Sequence, residues 1–163
     1  MTYDANGNLT EMETGIVEVS GSDVQQAEYA STTYDYYPSG HANEGMLKTE
    51  FDPLYDSAQT DLHRTDYEYD SDGFLTKVVQ SADVTSGTRP EISYTNNAQG
   101  QVTSMTDPES RVISYTYDDL GRKTKTTYPD TSTEQTLYGT GTSAGRVIKT
   151  KDRVDVVTSY AYD

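Results

Sequence analysis

Apolar side chains recur at alternate positions over short runs of this chain and nowhere hold the i, i+3, i+4 spacing of a helix for a helical length. The nearest approach, Ser22 to Ala30, offers Val24 and Ala27 in a polar remainder and reads as loop, strand or one short turn. Strands are predicted near residues 14–20, 29–37, 46–51, 63–70, 73–80, 90–95, 100–106, 111–118, 121–128, 133–138, 145–151 and 154–162. Long connections rich in Pro, Ser, Gly and Asp fall at 38–45, 52–62 and 81–90. The expected class is all-β.

The alternation is organised as a repeat. Its clearest copies are Tyr67-Glu68-Tyr69-Asp70-Ser71-Asp72-Gly73 and Tyr115-Thr116-Tyr117-Asp118-Asp119-Leu120-Gly121. Looser copies run from Tyr94 to Gly100, from Tyr3 to Gly7 and from Tyr138 to Gly145; another starts at Tyr34-Asp35-Tyr36 with a longer turn through Pro38, Gly40 and Gly45. Tyr160-Ala161-Tyr162-Asp163 opens one more. Two positions past the glycine stands an apolar residue, at Leu9, Leu47, Leu75, Val102 and Val147, with Lys123 the exception, and this regularity selects Gly45 over Gly40.

One unit is physically legible. Tyr-x-Tyr places two rings on the same face of a strand, Asp or Asn accepts backbone N–H groups in the turn, and Gly takes the positive φ that closes it. A strand resumes after the glycine, so each unit is a β-hairpin. A lone hairpin is marginal in water, but hairpins in series can pair edge to edge and bury rows of tyrosine in an elongated, coiling antiparallel sheet. A structural role in the repeat is expected for Tyr36, Gly45, Tyr67, Tyr69, Asp70, Gly73, Tyr94, Gly100, Tyr115, Tyr117, Asp118, Gly121, Arg122, Gly145, Tyr160 and Tyr162.

Composition alters this picture in two ways. The 163 residues suit a single domain with a core, over 1–163, yet hydrophobic residues make up 33% and aromatic bulk comes from 15 Tyr, with no Trp and 2 Phe. The formal charge of -15, from 12 basic and 27 acidic residues, argues against nucleic acid and against an anionic membrane surface, and reads as solubility through self-repulsion. Without cysteine there are no disulfides, thiolate metal sites or cysteine nucleophiles. The first residues carry no basic region followed by an apolar run, and no stretch has the apolar length of a membrane helix.

Candidate chemistry is thin. Glu68-x-Asp70-x-Asp72-Gly73 imitates the front of a calcium loop, but Val79 falls where the closing bidentate Glu belongs, so Asx-turn chemistry is the better account. Asp118-Asp119 and Asp107 with Glu109 are paired carboxylates that recur at turn positions, as structural groups would. His41 and His63 lack metal-ligand spacing and are expected to be exposed loop residues. Arg122 and Arg146 share a repeat position, which predicts cross-strand pairing with carboxylates. Asn8-Leu9-Thr10 fits a glycosylation acceptor. No nucleophile elbow, phosphate loop or dinucleotide fingerprint appears, and no cofactor is expected.

The segment from Asp107-Pro108-Glu109-Ser110-Arg111 through Tyr115-Thr116-Tyr117-Asp118-Asp119-Leu120-Gly121-Arg122 to Tyr128-Pro129-Asp130 resembles the tyrosine-aspartate (YD) repeat of Rhs proteins, insecticidal toxin-complex shell subunits and teneurins. It departs from that pattern at Ser110, usually Gly, and at Lys123, usually Leu. The resemblance implies a β-sheet that spirals into a hollow shell, enclosing a toxin domain in bacterial members. The Asp-Pro-x-Gly-Leu signature of the associated autoprotease is absent; Asp52-Pro53-Leu54 and Asp107-Pro108-Glu109 share its first two letters. Expected partners are therefore neighbouring repeats of the same or another copy and an enclosed toxin domain, with a secreted or cell-surface location and the chain an excerpt of a longer array. A filament-forming repeat protein and a surface adhesion or carbohydrate-binding module are the alternatives, and an enzyme is not expected.

Overall fold

The computed structural model describes the chain apart from residues 17–18, 21–22, 25–27, 55–60, 83–85 and 163, and between 15 and 29 the backbone alone. The structure is all-β. Its strands are β1 (Thr2–Tyr3), β2 (Leu9–Ile16), β3 (Val19–Ser20), β4 (Asp23–Val24), β5 (Glu28–Tyr36), β6 (Leu47–Phe51), β7 (Arg64–Tyr69) and β8 (Leu75–Val79). They continue with β9 (Glu91–Asn96), β10 (Val102–Thr106), β11 (Val112–Tyr117), β12 (Lys123–Thr127), β13 (Thr133–Tyr138), β14 (Val147–Lys151) and β15 (Val157–Ser159). Among the described residues the one helical element is a 3₁₀ turn at Gly141–Ser143.

Two compact units divide the chain, Met1–Glu91 and Ile92–Asp163. In the first, strands lie in the order β1-β2-β5-β6-β7-β8, with β3 and β4 pairing as a separate two-stranded ribbon. In the second, β10 to β15 follow in chain order, each antiparallel to the next. Neighbouring strands of the sheet pair antiparallel, and β2 reaches β5 by way of the β3–β4 ribbon.

Register explains why the hairpin ends differ. Where a repeat glycine closes the turn, one residue of the returning strand is extra: Thr10, Lys48, Thr76, Thr103, Thr124 and Ile148 are skipped between paired neighbours. Hairpins at the opposite end, such as β10 with β11 and β12 with β13, pair without a shift. A bulge bends its strand and raises the local twist, so the irregularity falls on one end of each hairpin.

The expectation of a core needs revision. Among the described residues no hydrophobic side chain is fully buried, and the most buried side chains are polar: Asn43 and Thr49 at 5% exposure and Thr126 at 6%. Strand edges also differ from expectation. β2 begins at Leu9, since Gly7 already closes a turn, and the segment expected at 154–162 breaks into a turn at Asp152–Val156 and a short β15. Residues around Ser22 to Ala30 include β4 and the start of β5, the strand alternative of the sequence reading.

Candidate functional site

The recurrent feature is the turn itself. Asp118 Oδ1 accepts the N–H groups of Leu120 and Arg122, both at 3.0 Å, while its own N–H donates to Arg122 O and its carbonyl accepts from Gly121 N. The identical frame forms at Asp4 with Asn6 and Asn8, at Asp70 with Asp72 and Phe74, and at Asn97 with Gln99 and Gln101. One side-chain oxygen thereby satisfies two turn donors that the ladder cannot reach. Gly73, Gly100 and Gly121 hold φ of 84°, 77° and 78° at the closing position. In the longer turn Gly45 N donates to Tyr37 O and Tyr37 N to Met46 O, so Gly45 closes it; Gly145, φ 82°, stands before Arg146, which accepts from Gly139 N.

The opposite hairpin ends use the same frame without glycine. Asp107 receives Glu109 and Arg111, Asp152 receives Val154 and Val156, and the closing residues Ser110 and Asp155 take φ of 63° and 65°. Thr131 closes the Tyr128 turn at 68°, and His63 has φ 62° opposite Asp52. Left-handed backbone is unfavourable for residues with a Cβ, most of all a β-branched one; Ser110 is marked in the sequence only as a departure from the glycine of the resembled pattern, and His63, Thr131 and Asp155 are not marked as turn-closing.

The tyrosines link one hairpin to the one before. Tyr36 donates to Leu9 O at 2.7 Å, Tyr117 to Val102 O at 2.7 Å, Tyr138 to Lys123 O at 3.4 Å and Tyr162 to Val147 O at 2.7 Å. Each acceptor stands two residues past a repeat glycine. Tyr69 instead accepts, through its carbonyl, the amide of Asn43, while Tyr37 donates to Tyr67 O. Tyr67 donates to Glu50 at 3.3 Å, Tyr94 lies opposite Met105, Tyr115 opposite the buried Thr126, and Tyr160 N donates to Ile148 O. Burial pushes the phenols of Tyr36, Tyr67 and Tyr69 above their usual value, with the Asp4 carboxylate adding to it at Tyr36 and that of Glu50 at Tyr67. Among the described residues ring-on-ring contact is confined to Tyr37 with His41 and Tyr69.

Bulge threonines went unrecognised in the sequence reading. Thr76, Thr103 and Thr124, the extra residues of the bulges, donate across to the carbonyls of Glu68, Thr95 and Thr116. A Thr three residues after the repeat glycine was the available signal.

Charged residues depart from expectation. Arg122 does not pair across strands: it binds Asp118 of its own turn, Nη2 to Oδ2 at 2.6 Å, and lies 4.0 Å from the ring centroid of Tyr138. Arg146 lies over Tyr162 and Arg153 over Tyr128. The Arg122 hydrogen bond, aided by backbone donors, holds the Asp118 carboxyl below the usual carboxylate range. Burial alone would raise Asp66, but Arg89 at 2.6 Å, Thr49 at 2.8 Å and Arg64 hold it below that range. His63 is half-buried and contacts Asp52 at 2.9 Å instead of lying free; His41 is exposed and stacks on Tyr37. Asn8, the glycosylation candidate, gives its side-chain nitrogen to Asp4 Oδ2. Among the described residues no group of three or more His, Cys, Asp or Glu is placed to hold a metal ion, and no helix is long and apolar enough to cross a membrane.

These frames define an antiparallel hairpin-repeat sheet, and the comparisons agree with that class. Residues 97–133, which contain the Asn97, Asp107, Asp118 and Tyr128 turns, match the RHS Repeat family model. The resemblance to YD-repeat proteins read from residues 107–130 therefore holds. Solved structures with the same fold include the crystal structure of TcdB2-TccC3-Cdc42, with TM-score 0.64 and 18% identity, and that of TcdB2-TccC3 without hypervariable C-terminal region, with 0.66 and 16%. A third, TcdB2-TccC3-TEV, gives 0.61 and 18%. Each likeness covers 92% of this chain and 7% of the other, so the chain spans a small part of those proteins. Comparison with curated protein sequences finds no match.

Proposed function

We propose that this chain is a structural scaffold, a stretch of YD-repeat wall, and that its role lies in sheet geometry and not in catalysis. The observation that carries this reading is the modular frame: turns with one hydrogen-bond pattern, bulges at one hairpin end and tyrosines tying each hairpin to its neighbour, over a sheet without a buried apolar core among the described residues. Such a sheet is stabilised chiefly by its neighbours. The finer reading is that the wall belongs to a shell outside the producing cell, enclosing a toxin domain, with Tyr36, Tyr69, Tyr117 and Tyr162 and the repeat glycines setting its curvature. It rests on the RHS match and on fold likeness to toxin-complex chains. Cryo electron microscopy of the polypeptide that carries this chain tests it. A closed wall around internal density is expected; an open or peripheral sheet with no enclosed volume overturns the reading.

One observation favours the adhesion alternative. An open cleft of about 770 Å³ in the second unit is lined by Tyr115, Tyr117, Asn97, Gln101 and Asp118, residue types that stack on and hydrogen-bond to sugars. A glycan array decides: binding lost on Tyr115→Ala supports it, and an empty array removes it.

A further inference from the structure

The second unit carries a cationic face for which the first unit supplies the complement. Lys125 lies opposite Gln135, Gln135 opposite Lys151 and Lys151 opposite Val157, in direct register over β12 to β15. One step along, Leu137 lies opposite Lys149. Residues two apart on a strand share a face, so these six side chains lie together, lining a cleft of about 580 Å³. Leu137 is 52% exposed at its centre. Among the described residues Lys125 and Lys149 have no carboxylate partner, although the chain holds 27 acidic residues; Lys151 contacts Asp155, an exposed turn residue, at 2.5 Å.

The corresponding face of the first unit carries more acid than base, with Glu11, Glu13, Asp35, Asp66 and Glu68 against Arg64 and Lys77. The residue just before the last Tyr of the repeat strand, Leu137 and Thr116 in the second unit, is Asp35 on β5 and Glu68 on β7. Asp35 lies opposite Thr49, and Thr49 opposite Asp66, which shares a strand face with Glu68. Glu11 and Glu13 on β2 pair with Thr33 and Ser31, which share a face with Asp35. The first unit's basic residues are Lys48, Arg64, Lys77 and Arg89 alone: Arg64 and Arg89 engage Asp66, and Lys77 lies 3.7 Å from Glu68 and 3.8 Å from Glu91, an exposed pairing that a docking lysine can replace, while Glu11, Glu13 and Asp35 have no basic partner among the described residues.

We propose that the Lys125–Lys149–Lys151 face docks the acidic Glu13–Asp35–Glu68 face of a second copy of this chain. The acidic face offers carboxylates at strand spacing to lysines at strand spacing, and Leu137 and Val157 give the centre of the contact an apolar seat. Net charge repels whole copies at long range, but at about 0.1 M salt screening limits that repulsion to roughly 10 Å, and face-to-face charge pairs act inside that distance. Each copy offers one surface of each sign, so the contact is heterologous: it closes as a reciprocal dimer or grows by addition. The contact uses sheet faces, so it stands whether or not the sheet belongs to a shell.

Sedimentation velocity of the 163-residue chain over a concentration series tests this, in about 0.1 M and about 0.5 M salt, where the screening length falls to roughly 4 Å. The expected result is association at the lower salt and monomer at the higher. K125Q/K149Q/K151Q and E13Q/D35N/E68Q should each remain monomeric, with unchanged β-sheet circular dichroism. The exchanged chain K125E/K149E/K151E/E13K/D35K/E68K should associate again. Monomer at every concentration in the lower salt, association that persists in the higher salt, or association retained by the lysine variant each overturns the proposal.

Discussion

Asp118 does the work of a miniature cap. Its carboxylate gathers two backbone donors and one guanidinium, so replacing it with Ala should lower the urea midpoint, whereas Asn, which serves at position 97, should retain most of the frame. The non-glycine turn closers are the opposite case. Thr131 and Ser110 sit in the left-handed region at φ 68° and 63°. Thr131→Gly should stabilise the chain by about 1 kcal/mol, and Ser110→Gly by about half that, after the entropy that glycine adds to the unfolded chain. Gly121→Ala should cost about 1–2 kcal/mol, because φ is 78° and the new Cβ would stand 3.1 Å from Gln101 Nε2. Asp66 sets an acid limit. Its folded carboxyl titrates below the ordinary 3.8, so its stabilisation is complete above that value and is lost as pH falls below about 4 through the folded titration. Urea midpoints from pH 7 to 3 should show the fall, and Asp66→Asn should make it shallower, the remainder belonging to the turn carboxyls such as Asp118 that are also held below their usual range. Of these residues the sequence marked Asp118 and Gly121 plainly, because Asp and Gly have few reasons to recur together except a turn. Ser110 was legible only as a departure from the family pattern, and Thr131 not at all, since its conformation is imposed by the strands on either side.

At the scale of the hairpin, tyrosine couples one hairpin to the one before it. Tyr117→Phe removes a 2.7 Å hydrogen bond to Val102 O and leaves the ring in place, so a loss of about 1 kcal/mol is expected. Hydrogen exchange should show the lost protection on β10 to β12 and leave β6 to β8 unchanged, as a nearest-neighbour array requires. Strand existence was legible from alternation along most of the chain. Bulges were not, although a Thr recurs after four of the repeat glycines, at Thr10, Thr76, Thr103 and Thr124. Alternation is a property of one strand, whereas a bulge belongs to a pair and appears only when the partner's register is known. The Arg122 misreading has the same origin: an i, i+4 approach within a turn is not available to residues of straight strands.

For the whole molecule, the sequence alone determined the class, the repeat and the glycine-closed turns. Those follow from short-range chemistry: alternation sets strand faces, Asp or Asn fixes the turn donors, and Gly supplies positive φ. Its family resemblance also reached the segment that the RHS Repeat model matches. Only the tertiary structure decided where the apolar surface goes. Fifteen tyrosines suggested a ring-packed core, yet the described residues bury no hydrophobic side chain fully, and phenol hydroxyls spend their reach on neighbouring backbone carbonyls. It likewise decided that lysines distant in sequence, at 125, 149 and 151, meet on one face. The physical reason is that hairpin chemistry acts within a few residues, whereas burial and charge neighbourhood depend on which strands lie side by side and in which register.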